Sequence, residues 1–235
     1  MKIKTIESFT NEFVGFTRVT TEDGAQGWGQ VSTYNSDITM QVLHRQVAPW
    51  TLGKPISDLD NMLDLVTERE HKFPGSYVCR AMTGLDTAIW DLRAKKKGVP
   101  VTTLLGGSPG SIRAYASSMK RDITPQDEAT RLSKLRDSHG FDAFKFRVGA
   151  EVGRNEDEWP GRTEEIISTM RRAMDDDIAL MVDANSCFTP QRAIEVGHIL
   201  LDNGISHYEE PCPYWEFEQT KQVTDALCLD VTGGE

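Results

Sequence analysis

The chain has 235 residues, 38% of them hydrophobic and 26% charged, and its 36 Asp and Glu outnumber 26 Lys and Arg for a formal charge of −10. That length holds one large or two modest domains with a real core, and the composition is that of a folded chain rather than a disordered one. The acidic balance leaves no basic stripe for nucleic acid, and no apolar run approaches the roughly 20 residues that cross a membrane as a helix. The opening Met1-Lys2-Ile3-Lys4-Thr5-Ile6 turns polar at once and offers no signal-peptide core, so a cytoplasmic protein is expected. Cys79, Cys187, Cys212 and Cys228 are scattered without a C-x-x-C pair, which predicts small buried hydrophobes rather than disulfides or a metal site.

Residues 2–9 and 12–20 are rich in β-branched and aromatic residues, and a turn at Glu22-Asp23-Gly24 leads to a third short strand near 27–31. Ser57 with Asp60 three residues on reads as a helix start of capping-box type, followed by the apolar face Leu59, Met62, Leu63 and Val66. A stronger helix is predicted over 79–97. Ala81, Met82, Leu85, Ala88, Ile89 and Leu92 recur at helical spacing, Lys95-Lys96-Lys97 fill the last turn and Gly98 stops it. The lysine run is therefore a helix-end feature and not a binding patch. Gly98-Val99-Pro100 and Gly106-Gly107 then mark a boundary, giving an α+β domain over 1–111 and a second domain over 112–235.

Beyond residue 112 the texture alternates. Strands are predicted at 113–117, 143–148, 178–184, 205–209 and 229–234, with amphipathic helices at 125–138, 162–174, 190–203 and 216–227. Such alternation gives an α/β domain with a parallel sheet and right-handed crossovers. Polar residues at the C-terminal ends of most strands favour a (β/α) barrel over a doubly wound sheet, for which no G-x-G-x-x-G follows a strand.

Asp183, Glu209 and Glu235 end three successive predicted strands at intervals of 26 residues, about one βα unit each. Three carboxylates at equal height would repel one another and are costly to desolvate, so a cation is their natural partner. All-oxygen ligation with positions left for substrate suits Mg²⁺, whereas the plainer alternative makes each acid an N-cap of the next helix. Lys145 and Arg147 lie two apart on an earlier strand and share a face. Two cations beside three carboxylates suit an anionic substrate whose charge grows during reaction, the alternative being surface ion pairs.

With these residues the chain resembles the enolase superfamily, within it the mandelate racemase and muconate lactonizing enzyme group, and in particular its acid-sugar dehydratases. The likeness rests on the 81–92 helix leading into Lys95-Lys96-Lys97-Gly98-Val99-Pro100-Val101 and Leu104-Leu105-Gly106-Gly107, on Ala114-Tyr115-Ala116-Ser117, on Lys145-Phe146-Arg147, and on the Asp183, Glu209, Glu235 series. It implies an α+β capping domain over a (β/α)₇β barrel, a modified TIM barrel here truncated after the fifth strand. It also implies Mg²⁺ on Asp183, Glu209 and Glu235, stabilising an enolate formed by removing the proton α to a carboxylate. A homo-oligomer and a small-molecule carboxylate substrate, an aldonate or aldarate, follow from the same likeness.

Two departures shape the reading. The family usually carries a second lysine where this chain has Arg147, and a guanidinium is a poor proton acceptor near neutral pH. Arg147 is then expected to bind or polarise the substrate while Lys145 neutralises its carboxylate, which favours elimination over a two-base racemisation. The base in similar dehydratases is a His paired with an Asp on later strands, so it is expected beyond Glu235, and His207 is read as structural. By position in the family, loops 28–37 and 70–80 close over the substrate, making Tyr34, Asn35, His71 and Tyr77 candidate contacts. Asn185 shares a face with Asp183 and is a further substrate-binding candidate. The insert 151–161, with Asp157 and Trp159, is either a functional loop or a solvated one. The leading expectation is Mg²⁺-dependent dehydration of a sugar acid to a 2-keto-3-deoxy acid. The alternatives are a racemase, epimerase or cycloisomerase of the same superfamily, or a non-catalytic protein that binds a metal or a partner.

Overall fold

The computed structural model describes residues 1–153 and 155–233. They form two compact units, Met1–Ser111 and Ile112–Glu235. The first opens with an antiparallel meander of β1 (Ile3–Thr10), β2 (Gly15–Thr21) and β3 (Gln26–Gln30). The second strand starts later than its composition predicts. Asn11 Oδ1 accepts the amides of Phe13 and Val14 at 2.8 and 2.9 Å, and this side-chain turn takes 12–14 out of the ladder.

Segment 36–51, which carries no clear helical period, is nonetheless helical: α1 (Ser36–Val42), a π-helical turn (Leu43–Val47) and α2 (Ala48–Thr51). The predicted capping box at Ser57 is not formed. A 3₁₀ turn (Ile56–Asp58) precedes α3 (Leu59–Arg69), whose N-cap is Asp58, without a side-chain capping bond. The apolar face is as expected at Leu59, Met62 and Val66, all buried.

The long helix α4 (Ser76–Lys97) is the spine of this unit, its buried face running through Ala81, Leu85, Ala88, Ile89 and Leu92. Gly98 ends it in the left-handed conformation, and its last-turn lysines are engaged locally: Lys95 with Asp91 at 2.6 Å and Lys96 with Asp23 at 3.1 Å. Strand β3 lies against α4 so closely that a methyl group on Gly27 would stand 2.0 Å from the Ala88 carbonyl oxygen. Gly27 and Gly29 are what make that approach possible. A short helix α5 (Val101–Leu104) follows.

The second unit is a run of βα repeats: β4 (Ala116–Ser117), α6 (Pro125–His139), β5 (Ala143–Arg147), α7 (Arg162–Ala173), β6 (Ala179–Asp183), α8 (Pro190–Asp202), β7 (His207–Glu209), α9 (Phe217–Ala226) and β8 (Asp230–Thr232). The strands are all parallel and paired in chain order, as in a (β/α) barrel wall. The first is shorter than expected. Arg113 is drawn to Asp142 at 3.0 Å on the surface, leaving only two residues in the ladder.

Alternation along β5 and its neighbours divides the sheet into two unlike faces. Phe144, Phe146, Leu180, Val182 and Tyr208 belong to the apolar core built with Ile166, Ile167, Met170, Val196 and Leu200 of the helices. The opposite face carries Lys145, Arg147, Asp183 and Glu209. All five residues of β5 are buried, so its charges are buried with its phenylalanines. Among the described residues no helix is long and apolar enough to cross a membrane.

Candidate active site

Strand register assembles the charged face. Arg147 pairs with Asp183 and Asp183 with Glu209 across adjacent parallel strands, so three charged side chains stand side by side at the C-terminal strand ends. Lys145, one pleat below Arg147, reaches up between the two acids: its Nζ lies 2.5 Å from Glu209 and 3.6 Å from Asp183. Arg147 donates to Asp183 from Nη1 and, from Nε, to the Ser118 carbonyl at 3.3 Å. Asp183 also accepts the Asn185 amide at 2.8 Å.

Burial sets the electrostatics. Asp183 is 2% exposed and Lys145 and Arg147 are each 6% exposed. Burial is the largest influence on the Asp183 carboxyl and holds its pKa above the ordinary value, against the pull of Arg147 and the Asn185 amide. For Lys145 burial again acts most strongly and opposes the charge, but the Glu209 hydrogen bond and the charges of Glu209 and Asp183 together prevail and raise its pKa. Lys145 is therefore an ammonium at neutral pH. The Tyr115 ring adds a cation–π contact at 5.5 Å.

Asp183 and Glu209 present hard oxygen donors on neighbouring strand ends, and one cationic group already sits within reach of both. Donor chemistry and spacing thus fit a hard cation. Glu235, the third acid of the series, lies outside the described residues, and among the described residues no three His, Cys, Asp or Glu gather as a metal-binding group.

Asn185 joins the cluster at its rim, its Oδ1 accepting from Arg147 Nη1. The same oxygen accepts from Arg121 Nη2, a residue that sequence reasoning passed over. It lies in the β4–α6 connection, where no period or motif singles it out. Ser118 was also missed; its amide donates to the Lys145 carbonyl at 2.8 Å and its Oγ accepts from Arg131 at 2.7 Å. Beneath the site the fully buried Arg162 donates to the Arg147 carbonyl at 3.1 Å and stacks over Trp159, while Asp157 accepts the Thr163 amide at 3.1 Å. The 151–161 insert is thus a packed brace for the β5–α7 connection as much as a surface loop. Glu210, buried and with a left-handed φ of 42°, donates its amide to the Thr232 carbonyl at 2.8 Å.

The other candidates are less engaged. His207 is half-buried, with Nε2 3.3 Å from Thr232 Oγ1. Tyr34 and His71 belong to the first unit: Tyr34 is 68% exposed with its ring edge-on to Phe13, and His71 Nδ1 meets the Glu68 carbonyl at 2.9 Å. Residues 76–80 of the presumed second substrate loop are the first turn of α4. Cys187 and Cys212 are buried as expected, whereas Cys79 and Cys228 are exposed.

Comparison with known proteins places the chain in a family. Residues 3–106 match the mandelate racemase / muconate lactonizing enzyme N-terminal domain, and residues 127–235 match the enolase C-terminal domain-like family. The chain belongs to the enolase superfamily. Among curated relatives of this superfamily, an arabinonate dehydratase of Saccharolobus solfataricus is 28% identical over all of this chain and 62% of its own length. A D-galactarolactone cycloisomerase of Agrobacterium fabrum is 35% identical over 66% of this chain and 40% of its own. A crystal structure from Roseobacter denitrificans, of a protein provisionally named a racemase, superposes with a TM-score of 0.98 at 74% identity, over the whole of this chain and 64% of that one. A mandelate racemase/muconate lactonizing protein of Paracoccus denitrificans PD1222, solved in complex with magnesium, gives 0.90 at 26% identity over 99% of this chain and 65% of that one. The chain thus spans less than two thirds of the length of each of these relatives.

Proposed function

We propose that this chain takes part in the magnesium-dependent dehydration of a sugar acid, yielding a 2-keto-3-deoxy acid. The observation that carries the reading is the cluster of buried Lys145, Arg147 and Asp183 with half-buried Glu209 on one face of parallel strand ends, two cations and two carboxylates on the face opposite the apolar core. Asp183 and Glu209, with Glu235, would hold a cation that would supply electrostatic stabilisation for the negative charge that grows on the substrate carboxylate as its α-proton leaves. The relative solved with magnesium supports that ion, and the relatives named as dehydratases support the reaction class.

Lys145, kept protonated, neutralises the substrate carboxylate. Arg147 orients the acid by its fixed donors and holds no lone pair with which to take a proton. Asn185 offers an amide at the rim for a hydroxyl. Once the α-proton is removed by a base, the β-hydroxyl departs with a proton as water, and the enol so formed tautomerises to the keto acid. The relatives named as cycloisomerases keep a second outcome open for the same site, in which the ring C–O bond of a lactone or anhydro acid breaks as the α-proton leaves, the ring oxygen stays in the product and no water is lost.

The test is a panel of aldonates and aldarates incubated with the full-length protein, with Mg²⁺ or with EDTA. Keto acid that forms only with Mg²⁺ is the expected result. Deuterium entering the α-carbon of recovered substrate in D₂O without keto acid would move the reading to racemisation or epimerisation. No change in any acid would overturn it.

A further inference from the structure

The site holds one cation whose place the proposed reaction does not use. Arg121 Nη2 and Arg147 Nη1 both donate to the same oxygen, Asn185 Oδ1. Two guanidinium groups thus converge on a neutral acceptor. Arg147 has Asp183 as its counter-charge, but among the described residues Arg121 has no ion-pair partner; the negative charges that reach it, those of Asp183, Glu151 and Glu158, act from beyond ion-pair distance. Its Nε is buried without a hydrogen-bond partner. The side-on fork of this guanidinium, Nε with Nη2, therefore has one donor on an amide oxygen and one enclosed without an acceptor, so a ligand that takes both must displace the groups that cover Nε.

That fork matches a carboxylate, which takes both donors at once and brings the missing charge. The acceptor it would displace is held at a fixed place. Asn185 and Ser186 adopt left-handed φ values of 46° and 63°, with the Asn185 amide tied to Asp183 at 2.8 Å and the Ser186 amide to the Glu210 carbonyl at 2.8 Å. Strained backbone pinned from both sides marks a functional rim more often than a structural one. Arg121 is also set apart from the acid pair: Lys145 stands between Asp183 and Glu209, and Arg121 touches neither.

We infer that Arg121, seated on Asn185 beside Arg147, receives the second carboxylate of a dicarboxylate substrate, so that the site selects aldarates over aldonates. The inference rests on the dehydration reading and adds the substrate class to it. A carboxylate lost from a side-on arginine fork costs about 10- to 100-fold in binding.

The experiment compares kcat/KM for galactarate and for galactonate, which differ in that the far carboxylate of one is a hydroxymethyl group in the other. Wild-type protein, Arg121→Gln and Arg121→Lys are used, each checked by thermal melting. The wild type is expected to favour galactarate. In Arg121→Gln the galactarate-to-galactonate ratio falls about 10- to 100-fold, and Arg121→Lys, which keeps the charge without the fork, lies between. If the wild type handles galactonate as well as galactarate, or if Arg121→Gln lowers both alike, Arg121 is a brace for the Asn185 turn and the inference is overturned while dehydration stands. If the wild type turns over neither, the same comparison is made with a panel acid it does turn over and that acid's partner differing only at the far carboxylate; if it turns over no acid of the panel, the dehydration reading fails and this inference with it. Should Arg121→Gln melt early, Arg121→Lys alone decides: an unchanged ratio is the overturning result.

Discussion

Arg147 and Asp183 face each other in register on adjacent strands, with side chains 7% and 2% exposed. Replacing Arg147 by methionine keeps most of the stem and removes the charge, leaving the Asp183 carboxylate buried with only the Asn185 amide at 2.8 Å and Lys145 at 3.6 Å. Removing one partner of a buried pair costs about 3–5 kcal/mol, and the surviving Lys145 contact places Arg147→Met near the lower end, about 3 kcal/mol. Lys145→Met is the contrast. Its main partner, Glu209, has a side chain 30% exposed that water can reclaim, so the loss is about 1 kcal/mol. Guanidinium chloride unfolding in EDTA at pH 7.5, followed by tryptophan fluorescence, reads both. The pH dependence has a definite sign. Asp183 has a folded pKa raised above the ordinary 3.8, so it binds its proton more tightly when folded, and stability falls as pH rises from 3.8 through the raised value. Without Arg147 that value rises further, so the deficit of Arg147→Met shrinks as the pH is lowered through it. The double variant Arg147→Met/Asp183→Asn, which leaves no orphaned charge, recovers more than half of the loss. A deficit under about 1 kcal/mol at pH 7.5, or one that widens as the pH is lowered, would refute the account.

Gly27→Ala places a methyl 2.0 Å from the Ala88 carbonyl oxygen and 2.6 Å from Leu92 Cβ, and α4 cannot withdraw without uncovering its buried face. Its unfolding free energy drops by about 3 kcal/mol, whereas Gly110→Ala, with nothing within 4 Å, stays within about 1 kcal/mol of wild type. In native protein at pH 8, Cys79 and Cys228 react with a thiol reagent within minutes, while Cys187 and Cys212 react only on unfolding. Burial pushes the Cys212 thiol up to about 11, so four equally fast thiols would contradict the packing of β7 and its following turn.

The strand-and-helix alternation beyond residue 112 was legible because each element carries its own period and its own punctuation. Thr124-Pro125 starts α6, with Thr124 Oγ1 accepting the Asp127 amide at 3.1 Å, and Gly140 ends it at a φ of 69°. Segment 36–51 was opaque for the converse reason. Its buried residues, Ser36, Thr39, Met40, Leu43, Val47, Ala48 and Thr51, mix polar with apolar and cross a π-helical turn that breaks the 3.6-residue rhythm. Ser57 misled because a capping pattern is local, whereas the 3₁₀ turn that displaces it is tied to distant groups: Ile56 donates to the Met1 carbonyl at 3.0 Å and Arg93 holds the Ile56 carbonyl at 3.0 Å. In the candidate site the strand-end residues were visible from spacing alone. Arg121 and Ser118 were not, since a connection joins a site by where the chain turns and not by a repeat.

What makes the charged cluster informative is that it does nothing for the fold that leucines would not do better. Taking Arg147, Lys145 and Asp183 out of water is costly, and the ion pairs formed return only part of that loss, so apolar residues of equal volume at these positions would make the second domain at least as stable. Phe144 and Phe146, alternating with Lys145 and Arg147 on the same strand, show that β5 already supplies the core with what it needs from one face. The other face therefore answers to a different demand. A ligand that carries negative charge into it completes the electrostatics, bringing to Arg121 the counter-charge that the described residues do not supply, and the same ligand would turn the stability deficit of the buried cations into binding energy. On this argument, a saturating aldarate should raise the melting temperature of wild-type protein more than that of Arg147→Met. An equal shift in the two would mean that the acid binds elsewhere.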